Sequence, residues 1–417
     1  MERNGLVVGL TGSFGSGCTK LSESLHSLGF TVFSLSGVVK KEWENRNPGK
    51  KAEEDAKRFE LQDIGDELRD THVNDYLAQE TIKETKEMNL LVFDSIRHTA
   101  EISTLRRKFN DFILIAVDAP IRDRWKRVRA KYRDLGLNEE DFEKDDSRDK
   151  NEAEISYGQQ VELCVDEADI LIDNQKEYNK SIIVRKLKEK IEPYVDLVSG
   201  KKLRHPISKE SYMGIAYTAS LKSKCYKRQV GAVIVDEKND EILSVGHNQN
   251  PSPLKSCIEE YTKCNKEIYK ENYFEKLKKA NVKCPECKNP IKDISPTYKC
   301  ECGCDLVKFF IPDRAVSQCT ALHAEHRAFM GLMGKNVEGA TMYVTTFPCA
   351  KCTNDIIHAK LARVVYVSAY PDPLAAKAFF EAEIPTVRFE GVKARAYFKL
   401  FGSWRREKED EILRETS

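Results

Sequence analysis

The sequence predicts an α/β protein in two parts: an N-terminal domain on a parallel sheet and a C-terminal three-layer α/β/α domain with a cysteine-rich insertion. Three observations predict it. Short apolar runs alternate with helical stretches through the first half, the pattern of strands buried on both faces. The first run leads into a glycine-rich loop, G-S-F-G-S-G-C-T, that opens a helical pattern. In the second half, H-A-E at 323–325 and P-C-A-K-C at 348–352 stand on either side of an alternating segment, Thr341–Thr345.

Composition bounds the rest. The chain has 417 residues, room for two or three domains with full cores. Lys and Arg total 68 and Asp and Glu 67, a net charge of +1. A protein built to grip long nucleic acid shows a basic excess, and this one has none. Thirteen cysteines, an odd number mostly at metal-ligand spacing, favour a reducing compartment and zinc over disulfides. The apolar run at the start is too short for a signal peptide or a membrane span, so the expectation is a cytoplasmic protein with no membrane partner.

The N-terminal domain is expected over 1–197. Gly5–Leu10 reads as a strand, Gly12–Thr19 as a loop and Leu21–Leu28 as a helix, the setting of a phosphate-binding loop. Backbone amides of Gly12, Gly15, Ser16, Gly17 and Cys18 would cradle phosphate oxygens, and Thr19 stands where a hydroxyl meets Mg2+. Cys18 occupies the lysine position of such loops, so the charge that draws in terminal phosphates is missing. Asn89–Phe93 is a second strand and ends at Asp94. Phe112–Val117 is a third, followed by an arginine-rich helix (Arg122, Arg124, Arg127, Arg129, Arg133). Ala168–Asn174 is a fourth. The charge run Asp141–Asn151 has little to bury and is expected to be a lid or mobile loop. These residues resemble the P-loop nucleotide and nucleoside-monophosphate kinases over the whole domain. The resemblance makes Asp94 the acid that closes the second motif, sets the arginine helix beside a lid and puts Asn174 near a base. With Cys18 in the loop, a regulatory nucleotide-binding domain is favoured over an active kinase, its cofactor a nucleotide with Mg2+.

A polar linker, Val198–Pro206, leads to the second domain, expected over 206–417. A helix from Tyr212 precedes a hairpin of Val230–Val235 and Ile242–Gly246. An insertion at about 252–317 carries Cys284 and Cys287 in C-P-E-C, then Cys300, Cys302 and Cys304 in C-E-C-G-C. Four of these five thiolates suffice for a closed structural zinc site of ribbon type. Cys257 and Cys264, seven apart, are read as structural and on one helix face. Ala362–Val367 and Leu374–Ala382 follow as strand and helix, with Arg395 and Lys399 four apart beyond them, placed to meet phosphate or a neighbouring subunit.

The chemistry sits between the two helix starts. His323, Cys349 and Cys352 offer zinc three ligands and leave a fourth position open, as a catalytic metal requires. Glu325, two residues from the histidine, is an acid left free to carry protons. His-x-Glu with Pro-Cys-x-x-Cys is the signature of zinc deaminases, which add water at C4 of a cytosine ring. The second domain resembles deoxycytidylate deaminases. In that resemblance Asn248 meets the sugar hydroxyl, Lys227 and Arg228 the phosphate, Tyr370 stacks on the base, and the backbone at Ala324 and Pro348 lines the pocket. Arg327 stands where many such enzymes have Asn. Both halves together, with T-T-F-P-C-x-x-C and the closing G-V-x-A-R-x-Y-x-x-L-F, resemble the bacterial anti-phage deoxycytidine nucleotide deaminases. The implied partners are free dCTP and dCMP, further copies of the chain up to a hexamer, and an inhibitory regulator or RNA. Two alternatives remain open: an RNA or single-stranded DNA cytidine deaminase, and a nucleotide-binding or kinase protein whose work lies in the first domain.

Overall fold

The computed structural model describes residues 5–85, 89–150, 156–175, 179–280, 282–291, 300, 302, 304, 306, 310, 319–368 and 372–402. In chain order its strands are β1 (Leu6–Thr11), β2 (Thr31–Ser34), β3 (Leu90–Ile96), β4 (Phe112–Asp118), β5 (Ile170–Asp173), β6 (Gly231–Asp236), β7 (Glu241–His247), β8 (Thr341–Thr346), β9 (Arg363–Ser368), β10 (Thr386–Arg388) and β11 (Gly391–Val392). The chain divides into two compact units. One runs to Glu210 and regains the chain from Phe389 onward; the other is Ser211–Arg388.

The first unit is a sheet of order β11–β5–β4–β1–β3–β2. Its β2, β3, β1, β4 and β5 run parallel, with Val8 opposite Val92 on one side and Ile113 on the other. Leu6, Val8, Leu10, Val92, Ile115 and Ile170 are buried against Leu21 and Leu25 of the Cys18–His26 helix and Leu187 and Ile191 of the Lys180–Ser199 helix. Each such side chain contributes roughly 1.5–3 kcal/mol of transfer free energy. The glycine loop follows the carboxyl end of β1, where open parallel sheets present their ligand crevice.

Three expectations change here. Thr31–Ser34 is a strand that the sequence reading missed, because its four residues are too few to show a period. The charge run is no loop: Glu139–Asp149 is a helix. Asp145, Asp146 and Asp149 on it are buried and partnered: Tyr132 donates to Asp145, Arg124 holds Asp146 at 2.5 and 3.0 Å, and Arg58 and Arg97 meet Asp149. A charge run and a buried ionic face look alike in one dimension. The second domain also does not keep the end of the chain. β11 pairs antiparallel with β5. The buried Lys393 donates its backbone N–H to Asp169 O and its ammonium to Val165 O and Asp166 O. Beyond it, Lys399 reaches Asn110 O at 3.2 Å and Arg395 lies 4.0 Å from Glu167.

The second unit is a sheet of order β10–β9–β8–β6–β7, with β6 antiparallel to both neighbours and β8, β9 and β10 parallel. Ala232, Ile234, Met342, Val344 and Val364 are buried with Ala324, Ala328, Ile356 and Phe379 from the flanking helices. Gly246 lets the helix Ala324–Met330 lie directly on β7: a Cβ there would meet Ala324 O at 2.1 Å. In the insertion, Cys257 starts the short helix Cys257–Glu260, and Cys264 precedes the separate helix Asn265–Lys279. They do not share one helix face; with Cys319 they line a cavity of about 110 Å³.

Candidate active site

Two helices begin at the metal-ligand motifs. His323 is the N-cap of Ala324–Met330, and Cys349 is the N-cap of Ala350–His358, each with extended backbone that aims its side chain back over the helix start. Pro348 sits just ahead, where a missing N–H costs nothing. The structure brings the three side chains together. His323 Nδ1 lies 3.4 Å from Cys349 Sγ and 3.3 Å from Cys352 Sγ. The three donor atoms all lie within 4.8 Å of one another. His323 is exposed, Cys349 half-buried and Cys352 buried, so the cluster runs from solvent into the core. One imidazole and two sulfurs at such separations fit the donor set of a zinc ion with an open position.

The electrostatics suit that set. A hydrogen bond from Cys352 and another from His323 pull the Cys349 thiol down to about 3 against its burial. His323 is raised in turn, chiefly by its bond to Cys349. Glu325 is 4% exposed, and burial pushes its carboxyl above the usual range. A carboxyl raised by burial holds a proton more readily than a free one, which suits a general acid–base.

Among the other expected substrate residues, Ala324 and Pro348 are buried at the two helix starts. Arg228 is exposed just before β6. Asn248 is committed to the backbone: its Oδ1 accepts from Val230 N at 2.8 Å and its Nδ2 donates to Arg228 O at 2.9 Å. It therefore braces the strand that presents Arg228. Tyr370 lies outside the described residues.

The sequence reading missed two supports. Asp372 accepts from Ala350 N at 2.9 Å and caps the Pro373–Glu381 helix through Leu374 N and Ala375 N, so it fixes the start of the Cys-x-x-Cys helix. An Asp just before a Pro at a helix start was a legible capping signal. Arg327 is held at 3.0 Å from His247 Nε2 and 3.2 Å from Gln249 Oε1, which no local pattern announces.

In the insertion, Cys284, Cys287, Cys300 and Cys302 converge within 4.8 Å. Their sulfurs pair at 3.7 Å, Cys284 with Cys302 and Cys287 with Cys300. Cys304 is buried beside them with Phe274, Ile291 and Leu306 and stands outside the four. Despite desolvation, the backbone amides of Cys287 and Glu286 lower the Cys284 thiol to about 6. Four convergent sulfurs match the donor set of a closed, structural zinc site.

The glycine loop takes the conformation its residues allow. Gly12 and Gly17 have φ of 152° and 117°, and a Cβ at Gly12 would meet Val117 O at 2.2 Å. Gly15 also lies at positive φ, and Ser16 is buried with its hydroxyl 3.5 Å from Cys18 Sγ. Burial and the nearby Asp94 push the Cys18 thiol up to about 12, so it is a neutral group at the lysine position. Asp94, itself raised by burial, accepts from Ser95 N at 2.6 Å. Thr19 is exposed on a cavity of about 250 Å³ lined by the loop. Asn174 donates to Ser16 O at 2.7 Å and Arg127 to Gly15 O and Ser16 O at 3.1 Å. Asn174 thus buttresses the loop, which accounts for its amide without a base.

A model of the cytidine and deoxycytidylate deaminase zinc-binding region matches residues 206–368. The chain is 33% identical over 170 residues to the deoxycytidylate deaminase of Enterobacteria phage T2, covering 37% of this chain and 77% of that protein. It is 27% identical over 178 residues to a UPF0200 protein of Saccharolobus islandicus, covering 42% of this chain and 87% of that one. Among solved structures, the dCMP deaminase of the cyanophage S-TIM5 is similar at 20% identity and a TM-score of 0.27, over 45% of this chain and 100% of that one. The family match spans His323, Glu325, Cys349 and Cys352, and the phage relative is covered over more than three quarters of its length. On that footing, the chain belongs to the cytidine and deoxycytidylate deaminase family.

Proposed function

We propose that this protein is a zinc-dependent deaminase of free deoxycytidine nucleotides, converting dCMP, dCTP or both to the deoxyuridine nucleotide and ammonia. The observation that carries the reading is the convergence of His323, Cys349 and Cys352 beside the buried Glu325. His323, Cys349 and Cys352 would hold the ion. Zinc bound there supplies a Lewis acid that brings the pKa of a water toward neutrality. Glu325 accepts a proton from the attacking water and delivers it to ring N3, and a second proton to the departing amine. C4 gains the oxygen and loses the nitrogen as ammonia. The backbone at Ala324 and Pro348 lines the base, and Arg228, steadied by Asn248, faces the phosphate.

The neutral net charge favours a free nucleotide over an RNA or DNA strand. The neutral Cys18 thiol disfavours a kinase and leaves the glycine loop a regulatory nucleotide site with Mg2+ on Thr19. Among the described residues no helix is long and apolar enough to cross a membrane. We further propose that the protein works as a homo-oligomer, drains the deoxycytidine pool in defence against phage, and is held off by a regulator beforehand.

The test is ammonia release from a panel of cytosine nucleotides beside a cytosine-containing oligonucleotide. Turnover of dCMP or dCTP with none of the oligonucleotide is expected; the reverse result would reject the reading. Metal content separates the two cysteine sets. Purified wild type should carry two zinc ions per chain, and Cys349→Ser one, with activity lost. Two ions retained by Cys349→Ser would remove that residue from the ligand set.

A further inference from the structure

We infer, resting on the deaminase reading above, that Arg327 is a further substrate-binding residue of that site, a side-on anchor for the phosphate of the nucleotide. Arg327 follows the ligand His323 by one helical turn, about 5.4 Å of rise. Its backbone N–H donates to His323 O at 3.0 Å. A ring held at the metal extends through its sugar to its phosphate over at least a span of that order.

One edge of the guanidinium is fixed and the other is open. Nη1 lies 3.0 Å from His247 Nε2, 3.2 Å from His247 O and 3.2 Å from Gln249 Oε1. Gln249 is itself tied to the start of the ligand helix, since it exchanges backbone hydrogen bonds with Leu322 at 3.0 and 3.1 Å. Burial chiefly holds His247 below its usual pKa; the Arg327 charge adds to this and the bond to Gln249 opposes it. The ring therefore stays neutral and is able to accept. Nε and Nη2 of Arg327 take no partner among the described residues. These two N–H groups form the side edge of a guanidinium, the fork that grips two oxygens of one phosphate.

Two observations separate this anchor from a mere strut. The helix Ala324–Met330 already lies on β7 through backbone: a Cβ at Gly246 would meet Ala328 N at 2.5 Å. The charge is also uncompensated. The partners of Nη1 are neutral, and no carboxylate among the described residues pairs with Arg327. Other cations of this unit are spent, Arg363 on Glu237 and Lys227 on Glu267. The strand end does double service. His247 and Gln249 orient Arg327, while Asn248 between them braces Arg228.

The test measures kcat and KM for dCMP and dCTP, together with zinc content, on the full chain as wild type, Arg327→Gln and Arg327→Lys. Glutamine still has an amide to donate to His247 or Gln249, so it keeps the strut and removes the charge and the fork. Arg327→Gln should raise KM about 10–100-fold, with the loss on KM rather than kcat and the zinc retained, as removal of charge-assisted hydrogen bonds to bound substrate predicts. Lysine keeps the charge without the fork and should fall between. Inhibition by the product dUMP should weaken in step with KM, and inhibition by deoxyuridine, which has no phosphate, far less. An unchanged KM in Arg327→Gln, a loss falling on kcat or on zinc, or equal weakening of dUMP and deoxyuridine would each overturn the assignment. Should Arg327→Gln not fold, Arg327→Lys decides, and a wild-type KM there rejects the fork. Wild type that releases no ammonia from either nucleotide would instead sink the deaminase reading, and the anchor with it.

Discussion

Glu325→Gln should lower the rate of ammonia release by about 10²–10⁴-fold while the protein keeps its zinc and its melting temperature. The amide fills the same buried volume, so the helix Ala324–Met330 has no reason to move. What it removes is the site for a mobile proton. Burial holds the Glu325 carboxyl above its usual range, which favours the protonated form it must pass through. Its neighbours do not replace it. Cys349 is held as thiolate with Cys352 donating to it, and His323 is tied to the same sulfurs, so none of the three is free to carry that proton. The measurement is turnover beside metal analysis on one preparation. Full activity in the variant would strip Glu325 of its role. Loss of zinc along with activity would make it a positioning residue for the metal.

Much of this site was legible because its chemistry is local. His323 and Glu325 lie within one turn, Cys349 and Cys352 within another, and the Pro and capping positions mark both helix starts. Alternation announced β6, β7 and β8 to within a residue or so. The features that escaped depend on partners far away in the chain. Asp149 and Asp146 read as solvated charges until Arg58, Arg97 and Arg124 are seen against them, 91, 52 and 22 residues away. The return of Gly391–Val392 to β5 rests on two residues and a buried lysine, a signal too small for any periodicity. Asn174 was expected near a base and Arg127 on a helix beside a lid, and both are spent on carbonyls of the glycine loop. Pattern reports what a segment does to itself, and ion pairs report what the fold does with it.

The second large effect is on stability, and Asp149 carries it. Its side chain is fully buried between two arginines: Arg58 at 2.5–2.7 Å and Arg97 at 3.2 Å, with Gln62 at 2.7 Å. Asp149→Ala should destabilise the first unit by about 3–5 kcal/mol, because it leaves two guanidinium groups facing each other in a poorly hydrated interior. The loss exceeds the worth of the pair itself, since the arginines lose compensation as well as attraction. The effect has a pH signature. Burial alone raises the Asp149 carboxyl, but the Arg58 and Arg97 charges overcome it and hold its folded pKa below the ordinary value. A depressed folded pKa gives stability that is present above the unfolded pKa, about 3.9, and is lost as pH falls through the folded value. Wild type should therefore lose stability steeply below about pH 4, and the variant should lose that part of the slope. Trp43 and Trp125 both lie in the first unit, so urea unfolding followed by tryptophan fluorescence reads the transition there. A midpoint equal to wild type would mean that water, rather than Asp149, compensates the two arginines.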